Sequence, residues 1–145
     1  MSTTALQRTL TDEAAHVAVA AAVAHARLLG VRVNVAVADT SGLLMGFLRM
    51  PGSFLHSIDI AIDKAYTAAS FGFATERWPA LLEGDAGLRA GMPQRARLVA
   101  FGGGVPMYAG ADCVGAIGVS GASAEQDAMC ARAALAALGL SDQPS

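Results

Sequence analysis

Charged residues are scarce in this sequence. They make up 15% of its 145 residues, against about 25% in a typical soluble domain. The formal net charge is only −2 and the arginines are scattered along the chain, so no nucleic-acid partner is predicted. Apolar residues reach 54%. The apolar surface that one domain cannot cover predicts a homo-oligomer, a dimer or a larger assembly.

Long apolar runs and paired cysteines are also missing. The alanine-rich stretch 14–29 is interrupted by two histidines and an arginine, so no membrane span is predicted. The first residues lack the basic-then-apolar pattern of a secretory signal, which predicts a cytoplasmic protein. Cys113 and Cys130 have no metal-ligand spacing, so both are predicted to be small buried thiols, with no disulfide and no metal site.

Lysine is almost absent, since Lys64 is the only one in the chain. Around it, apolar residues recur at helical spacing, which predicts a helix with one face packed on a sheet. A solvated helix face normally carries several charged residues, whereas this helix has one cation among small residues and two aspartates. We therefore predict that the Lys64 ammonium is held near Asp63, Asp127 or a bound anion. It is either part of a structural ion pair or part of a small-molecule pocket.

Capping residues predict where the first and last helices begin and end. Thr11 is a predicted N-cap, because two acidic residues follow it, and Gly30 is a predicted stop. Ser123 opens a capping box, and Gly139 is the predicted end of that last helix. Both helices are rich in alanine, and we expect their alanine faces to lie partly in contacts between subunits.

Short apolar runs between turn residues predict the strands. Residues 31–38 and 43–50 are predicted to form a hairpin, and residues 97–101 a third strand. A glycine run at 102–104 follows, and residues 108–120 predict a second hairpin. Strand pairs joined by short turns, with helices to cover both faces, indicate an α+β domain with three layers, α/β/α, and a mostly antiparallel sheet.

The chain is predicted to be one domain. Its 145 residues suit a single hydrophobic core, and neither a linker nor an internal repeat divides them. Residues 1–10 and 141–145 lie outside the predicted elements and are expected to be flexible.

Four motifs together resemble one known family. They are VNVAVADTSGLLMGFLRM, SIDIAIDKAYTAASF, FGGGVPM and VGAIGVSGASAEQD, in this order. They resemble the GlcG/HbpS family of haem-binding or haem-degrading proteins, to which the C-terminal domain of PduO-type cobalamin adenosyltransferases also belongs. The resemblance implies a profilin-like fold, with a five-stranded antiparallel sheet between helices, over residues 1–145. It also implies assembly into dimers or larger oligomers.

Several residues of this chain match the family pattern and are candidates for a ligand site. The candidate ligand-binding residues are Arg49, Met50, Lys64, Thr67, Gly103, Gly104, Pro106 and Asp127. Haem is the cofactor that the resemblance suggests. Imidazole is the usual proximal ligand of haem iron, so His16 on the first helix is the main candidate axial ligand, with Met50 and His25 as weaker candidates.

Two functions are compatible with these residues. The first is a small soluble ligand-binding protein, for haem or another planar hydrophobic molecule, with its pocket near a subunit interface. The second is a small metal-independent catabolic enzyme, with isomerase- or lyase-like acid/base chemistry on an oxygenated organic acid or ketone. In that enzyme Lys64 and Arg49 would be catalytic, and the glycine run, which is not a phosphate-loop motif, would cradle an anion.

Overall fold

The computed structural model describes all 145 residues and contains five helices. Three of them have 15 residues or more, and the other two have six residues each. In chain order they are α1 (Asp12–Leu29), α2 (Ser57–Phe71), α3 (Trp78–Glu83), α4 (Ala86–Gly91) and α5 (Ala124–Leu138). Two 3₁₀ turns, Thr75–Arg77 and Met92–Gln94, flank the short helices.

Four strands form one sheet, and every pairing in it is antiparallel. The strands are β1 (Asn34–Asp39), β2 (Leu44–Arg49), β3 (Gly104–Ala109) and β4 (Asp112–Ser120). Their spatial order is β2-β1-β4-β3, so β2 and β3 are the two edge strands. The α+β class and the antiparallel sheet predicted from sequence are confirmed.

The prediction of five strands is wrong, because residues 97–101 form no strand. Arg97 has a left-handed backbone with φ of 66°, which breaks an extended segment. The Thr67 hydroxyl holds this turn, donating to the Arg97 carbonyl at 2.9 Å and accepting from the Val99 N–H at 3.2 Å. The next strand begins instead at Gly104, inside the glycine run that was expected to be a loop.

The predicted helix caps are confirmed. The Thr11 hydroxyl accepts a hydrogen bond from the Ala14 N–H, and Gly30 ends α1 in the left-handed conformation. Ser123 and Gln126 form the reciprocal capping box at the start of α5, and Gly139 ends that helix. These ends are set by residues next to one another in sequence, which is why they could be predicted.

The sheet separates two helical layers. On one face, Val35 and Val37 of β1 pack in the main core with buried residues of α1 and α5. On the other face, Ala36 and Ala38 pack against Ala61 and Ala65 of α2. The alternation along β1 therefore produces the three-layer α/β/α arrangement that the sequence predicted.

The alanine faces of α1 and α5 lie largely inside the chain. The buried alanines include Ala15, Ala18, Ala22 and Ala26 of α1 and Ala131 and Ala134 of α5, all in the main core. Most of each alanine face is therefore covered by the other helix and the sheet, while Ala20 and Ala24 of α1 and Ala136 and Ala137 of α5 stay exposed; the expectation that these faces lie partly in subunit contacts stays a prediction. Small side chains let the two helices and the sheet approach closely.

Both chain ends make contacts with the sheet. The Ser141 N–H donates to the Tyr108 carbonyl and the Tyr108 N–H to the Ser141 carbonyl, at 3.1 and 2.8 Å. The segment 141–145 is thus held against β3. Near the other end, the buried Leu10 donates its N–H to the Val114 carbonyl at 2.9 Å. None of the helices combines the length and apolar character required to cross a lipid bilayer.

Candidate functional site

Lys64 lies in the interior of the molecule. Its side chain is 1% exposed, and its ammonium donates to the Val119 carbonyl at 2.8 Å and to the Asp127 carboxylate at 3.1 Å. The side chain starts on α2, passes the end of β4 and reaches the first turn of α5. The prediction that this ammonium is held near Asp127 is confirmed, whereas Asp63 pairs with Arg97 at 2.9 Å instead.

Both carboxylate oxygens of Asp127 accept hydrogen bonds. One accepts from Lys64, and the other accepts from the Ala122 N–H at 3.0 Å. Burial raises the pKa of Asp127, although Lys64 and the backbone donors oppose the change. Burial likewise lowers the pKa of Lys64, although Asp127 opposes the change. Both shifts point to the neutral forms, so removal of water from the two charges outweighs their attraction.

The glycine run leaves room for the lysine. A Cβ added to Gly103 would lie 2.5 Å from the Lys64 Nζ, closer than any side chain can approach. Gly103 has φ of 127°, a conformation that favours glycine. The Gly104 N–H donates to the buried Thr75 hydroxyl at 2.9 Å. The absence of side chains at Gly103 and Gly104 therefore lets the start of β3 pack against Lys64. The Gly104 N–H is bonded to Thr75 and is not free to bind an anion.

Phe101 covers the ammonium from outside. Its ring centroid lies 5.1 Å from the Lys64 Nζ, within the range of a cation–π contact. The Phe101 side chain is 48% exposed. It lines a cavity of about 440 Å³, together with residues of α5, among them Met129 and Arg132.

Three other predicted ligand residues are used within the fold. The Thr67 hydroxyl bonds the backbone at residues 97 and 99. Met50 is buried in the main core, where its sulfur lies 3.4 Å from the Val33 N–H. Pro106 is fully buried in β3, opposite Ala116. Met50 and Pro106 line none of five cavities on the surface of the molecule, which leaves Met50 without access to haem iron in this conformation. Thr67 contributes to the wall of one of them, a cavity of about 250 Å³ that Arg97 also lines.

Arg49 lies apart from Lys64. It is the last residue of the edge strand β2, is exposed, and makes no side-chain hydrogen bond or ion pair within the chain. Arg49 pairs with Asn34 of β1, and Asn34 pairs on its other side with Ser120 of β4. Two strand spacings, about 10 Å, therefore separate the backbone of Arg49 from that of Ser120. The structure therefore brings Lys64, Asp127 and Gly103 together and leaves Arg49 outside that cluster.

His16 lines a different cavity, a cleft between α1 and β2. The cleft has a volume of about 330 Å³, and its walls include Val19 and Ala20 of α1 and Phe47 and Leu48 of β2. The His16 side chain is exposed at this cleft, so an imidazole stands beside a mainly apolar surface. His25, two and a half turns further along α1, is half-buried, and its Nε2 has no hydrogen-bond partner.

Sequence reasoning missed two parts of these sites. Phe101 and Arg132 had been assigned to a strand and to a scattered set of arginines, and they meet at one cavity only through the packing of α5. Strand β2 had been predicted only as the second strand of a hairpin, and all its apolar side chains are exposed to some degree. The run LLMGFL contains no polar alternation, which was the available signal that this strand has no solvated face.

The fold and these residues define a class of protein, a small three-layer α/β/α domain with a lysine–aspartate pair buried between its layers. Comparison with known families makes the assignment specific. The chain belongs to the family described as haem degrading protein HbpS-like, whose model matches residues 10–136.

Individual relatives agree with this assignment. The chain is 35% identical to an uncharacterized 15.0 kDa protein encoded between dhaT and dhaS in Citrobacter freundii, over 88% of this chain and 90% of that protein. It is 34% identical to the corrinoid adenosyltransferase PduO of Salmonella typhimurium, over 83% of this chain but only 36% of PduO. The crystal structure of a PduOC–haem complex superimposes with a TM-score of 0.86, at 32% identity, over 93% of this chain and 99% of that one.

Proposed function

We propose that this protein binds haem, or another planar hydrophobic molecule, in the cleft between α1 and β2. One observation carries the proposal: His16 stands at the mouth of a cleft whose other walls are mainly apolar. A flat apolar ring would bury apolar surface there, and the His16 imidazole is a suitable axial ligand for iron. The family and the haem complex of PduOC support the choice of ligand.

The residues of the cleft fit this cofactor. His16 is exposed and free to turn toward the iron, while Phe47, Leu48 and Val19 supply apolar contacts. Bound haem would supply redox chemistry at its iron. The chain itself would supply the axial nitrogen and an apolar environment, which sets the reduction potential and limits access of water.

The cleft of one chain covers only part of a porphyrin. Its volume of about 330 Å³ is at the lower end of the range for ligand sites. The neighbouring strand β2 is an edge strand with exposed apolar residues, including Phe47 and Leu48. We propose that a second copy of the chain packs on β2, covers the open side of the cleft and completes the site.

Titration of the purified apo-protein with haemin tests the haem site. We expect a shifted Soret band that saturates at a fixed ratio of haem to protein. The chain has three histidines, so the assignment has complete controls. His16→Ala should lose the shifted band, while His25→Ala and His56→Ala should keep it. A shifted Soret band that persists in His16→Ala would exclude His16 as the axial ligand. Absence of a shifted band in the wild type would exclude haem binding.

The second candidate, an enzyme that uses Lys64 and Arg49 for acid/base chemistry, has one observation in its favour. Burial lowers the pKa of Lys64, which is how a lysine becomes a general base. Its burial and the position of Arg49 outside the lysine cluster weigh against it. Titration of Lys64 by NMR in Arg49→Gln is a direct test. If the two residues share a pocket, the pKa of Lys64 has to rise when the neighbouring cation is removed. An unchanged pKa of Lys64 would show that Arg49 lies outside its pocket and would exclude this enzyme.

A further inference from the structure

The cavity in front of Phe101 has features of a second small-molecule site. It lies between α5 and the segment before β3, whereas the proposed haem cleft lies beside β2, at the opposite edge of the sheet. With about 440 Å³ it falls within the range of ligand sites. Its walls include the exposed apolar side chains of Phe101 and Met129.

The Lys64 ammonium has one N–H that the protein does not bond. An ammonium has three donors, and two of them bond Val119 and Asp127. The face of the Phe101 ring lies next to the ammonium, with its centroid 5.1 Å from Nζ, and is placed to meet the third. A ring face is a weaker acceptor than a carbonyl oxygen, so an oxygen in place of that ring would satisfy Lys64 better.

Phe101 is well suited to move aside. It is followed directly by Gly102, Gly103 and Gly104, whose backbone has more conformational freedom than that of other residues. It is also absent from the aromatic cluster of Phe71, Phe73 and Trp78. Because about half of its side chain is already exposed (48%), rotation into solvent would lose little apolar burial.

The charges around the cavity restrict what it can hold. Arg132 is paired with Glu76 and with Asp142, and Lys64 is paired with Asp127. Glu125 also lines the cavity, so no excess positive charge is left to bind a polyanion such as a phosphate ester. One carbonyl oxygen on a flat apolar body matches the single free donor and the apolar walls.

We propose that this cavity binds a small carbonyl compound with a flat apolar body, an aldehyde, a ketone or a monocarboxylate, and that Phe101 is the gate between the cavity and Lys64. The apolar body packs against Met129, and the carbonyl oxygen accepts the third N–H of Lys64 when the Phe101 ring swings out. The site is independent of haem binding, because it shares no residue with the α1/β2 cleft.

The single lysine allows a direct test of the gate. Benzaldehyde with cyanoborohydride benzylates amines, and the exposed N-terminal amine serves as an internal standard in peptide mass spectra. We expect Lys64 to react slowly in the wild type and about tenfold faster or more in Phe101→Ala, because labelling of a buried group is limited by how often it is uncovered. Phe54→Ala, which removes an exposed phenylalanine outside the cavity, is the matched control and should react like the wild type. Equal rates in Phe101→Ala and Phe54→Ala would overturn the gate.

Benzoate tests the binding site separately. Millimolar benzoate should slow benzylation of Lys64 but not of the N-terminus, and should shift the amide NMR signals of Gly102 and Gly103. The double variant Lys64→Met/Asp127→Leu, which removes both charges together, should lose those shifts while remaining folded. Absence of both protection and shifts in the wild type would overturn the site, and unchanged shifts in the double variant would overturn the role of Lys64.

Discussion

Lys64 and Asp127 place two opposite charges inside the protein, and each depends on the other. Removal of one partner leaves an uncompensated buried charge, whereas replacement of both by apolar residues is often neutral or stabilising. The pKa shifts of both groups toward their neutral forms agree with that asymmetry. The pair therefore links three layers without itself being a large source of stability.

Substitution of Lys64 by methionine should destabilise the fold strongly. We expect Lys64→Met to lower the free energy of unfolding by about 3–5 kcal/mol, because Asp127 loses its partner in the interior. Lys64→Met/Asp127→Leu should recover most of that loss. Arg8→Met, which breaks the exposed pair with Asp112, is the control and should change little. Urea denaturation of the four proteins measures these differences, and an unaltered midpoint for Lys64→Met would show that the pair has no structural role.

Cys130 gives the molecule a pH dependence in the alkaline range. It is fully buried, and burial, with the nearby Asp127 charge, raises the pKa of its thiol from 9.0 to about 11. Between these two values the folded state binds more protons than the unfolded state, so stability falls as pH rises. We expect a loss of up to about 3 kcal/mol from this group as the pH rises from 9 to 11. Thermal unfolding across this range should show a smaller loss in Cys130→Ala, and identical slopes would contradict the buried thiol.

The role of a single residue could be predicted from sequence where that residue type is rare in the chain. Lys64 is the one lysine in a helix without other cations, and that isolation indicated a paired ammonium. Met50 and Pro106 could not be placed in the same way. The burial of Met50 depends on how the chain turns after β2 ends at Arg49. The burial of Pro106 depends on where β3 starts, because a change of one residue in register moves a side chain to the other face.

Close packing of α2 on the sheet depends on the absence of a side chain at Gly118. A Cβ there would collide with the Ala61 carbonyl oxygen and lie 2.5 Å from the Ala65 nitrogen. The helix would have to lift from β4, which would also displace Lys64 from Val119. This contact joins a strand glycine to a helix backbone, so both elements have to be in place before it can be recognised.

Gly118→Ala should therefore be among the most damaging small substitutions in the chain. We expect a loss of at least about 3 kcal/mol, at the upper end of overpacking effects, because the obstruction is backbone. Gly91→Ala is the matched control, since a Cβ at Gly91, the last residue of α4, meets nothing within 4 Å. That variant should be neutral or slightly stabilising. Chemical denaturation measures both, and a tolerated Gly118→Ala would contradict the close approach of α2 to β4.

Elements whose ends are set by local chemistry were predicted well, and elements set by long-range contacts were not. The caps at Thr11 and Ser123 involve neighbours three residues away. The failed strand at 97–101 has suitable apolar residues, but Thr67, thirty residues earlier, fixes the turn at Arg97. A residue so distant in sequence leaves no pattern that propensity or periodicity can detect.

At the scale of the whole molecule, strand β2 is the element that leaves apolar side chains and backbone groups uncovered. Its residues have little cover from the helices, and β2 is an edge strand with unpaired backbone groups on its outer side. Natural proteins usually protect such edges with lysines, prolines or bulges. Between Leu43 and Leu48 this chain has only apolar residues and glycine, and the one irregularity in the pairing of β2 is a register shift opposite Val37 and Ala38. Five of the exposed large apolar side chains, those of Leu43, Leu44, Met45, Phe47 and Leu48, lie together on β2 and the turn before it. Part of the apolar excess seen in the composition therefore forms a continuous patch at this edge.

We expect light scattering at micromolar concentration to give the mass of a dimer or a larger assembly for the wild type. Leu48→Lys should shift the mass toward the monomer, because a charge on the edge opposes apolar packing by a second copy. Leu28→Lys, at an exposed leucine of α1 outside the cleft, is the control and should leave the mass unchanged. If the second copy also completes the α1/β2 cleft, Leu48→Lys should bind haemin more weakly although His16 is intact. A monomeric wild type would remove the assembly, and an oligomer that persists in Leu48→Lys with normal haem affinity would move the interface away from β2.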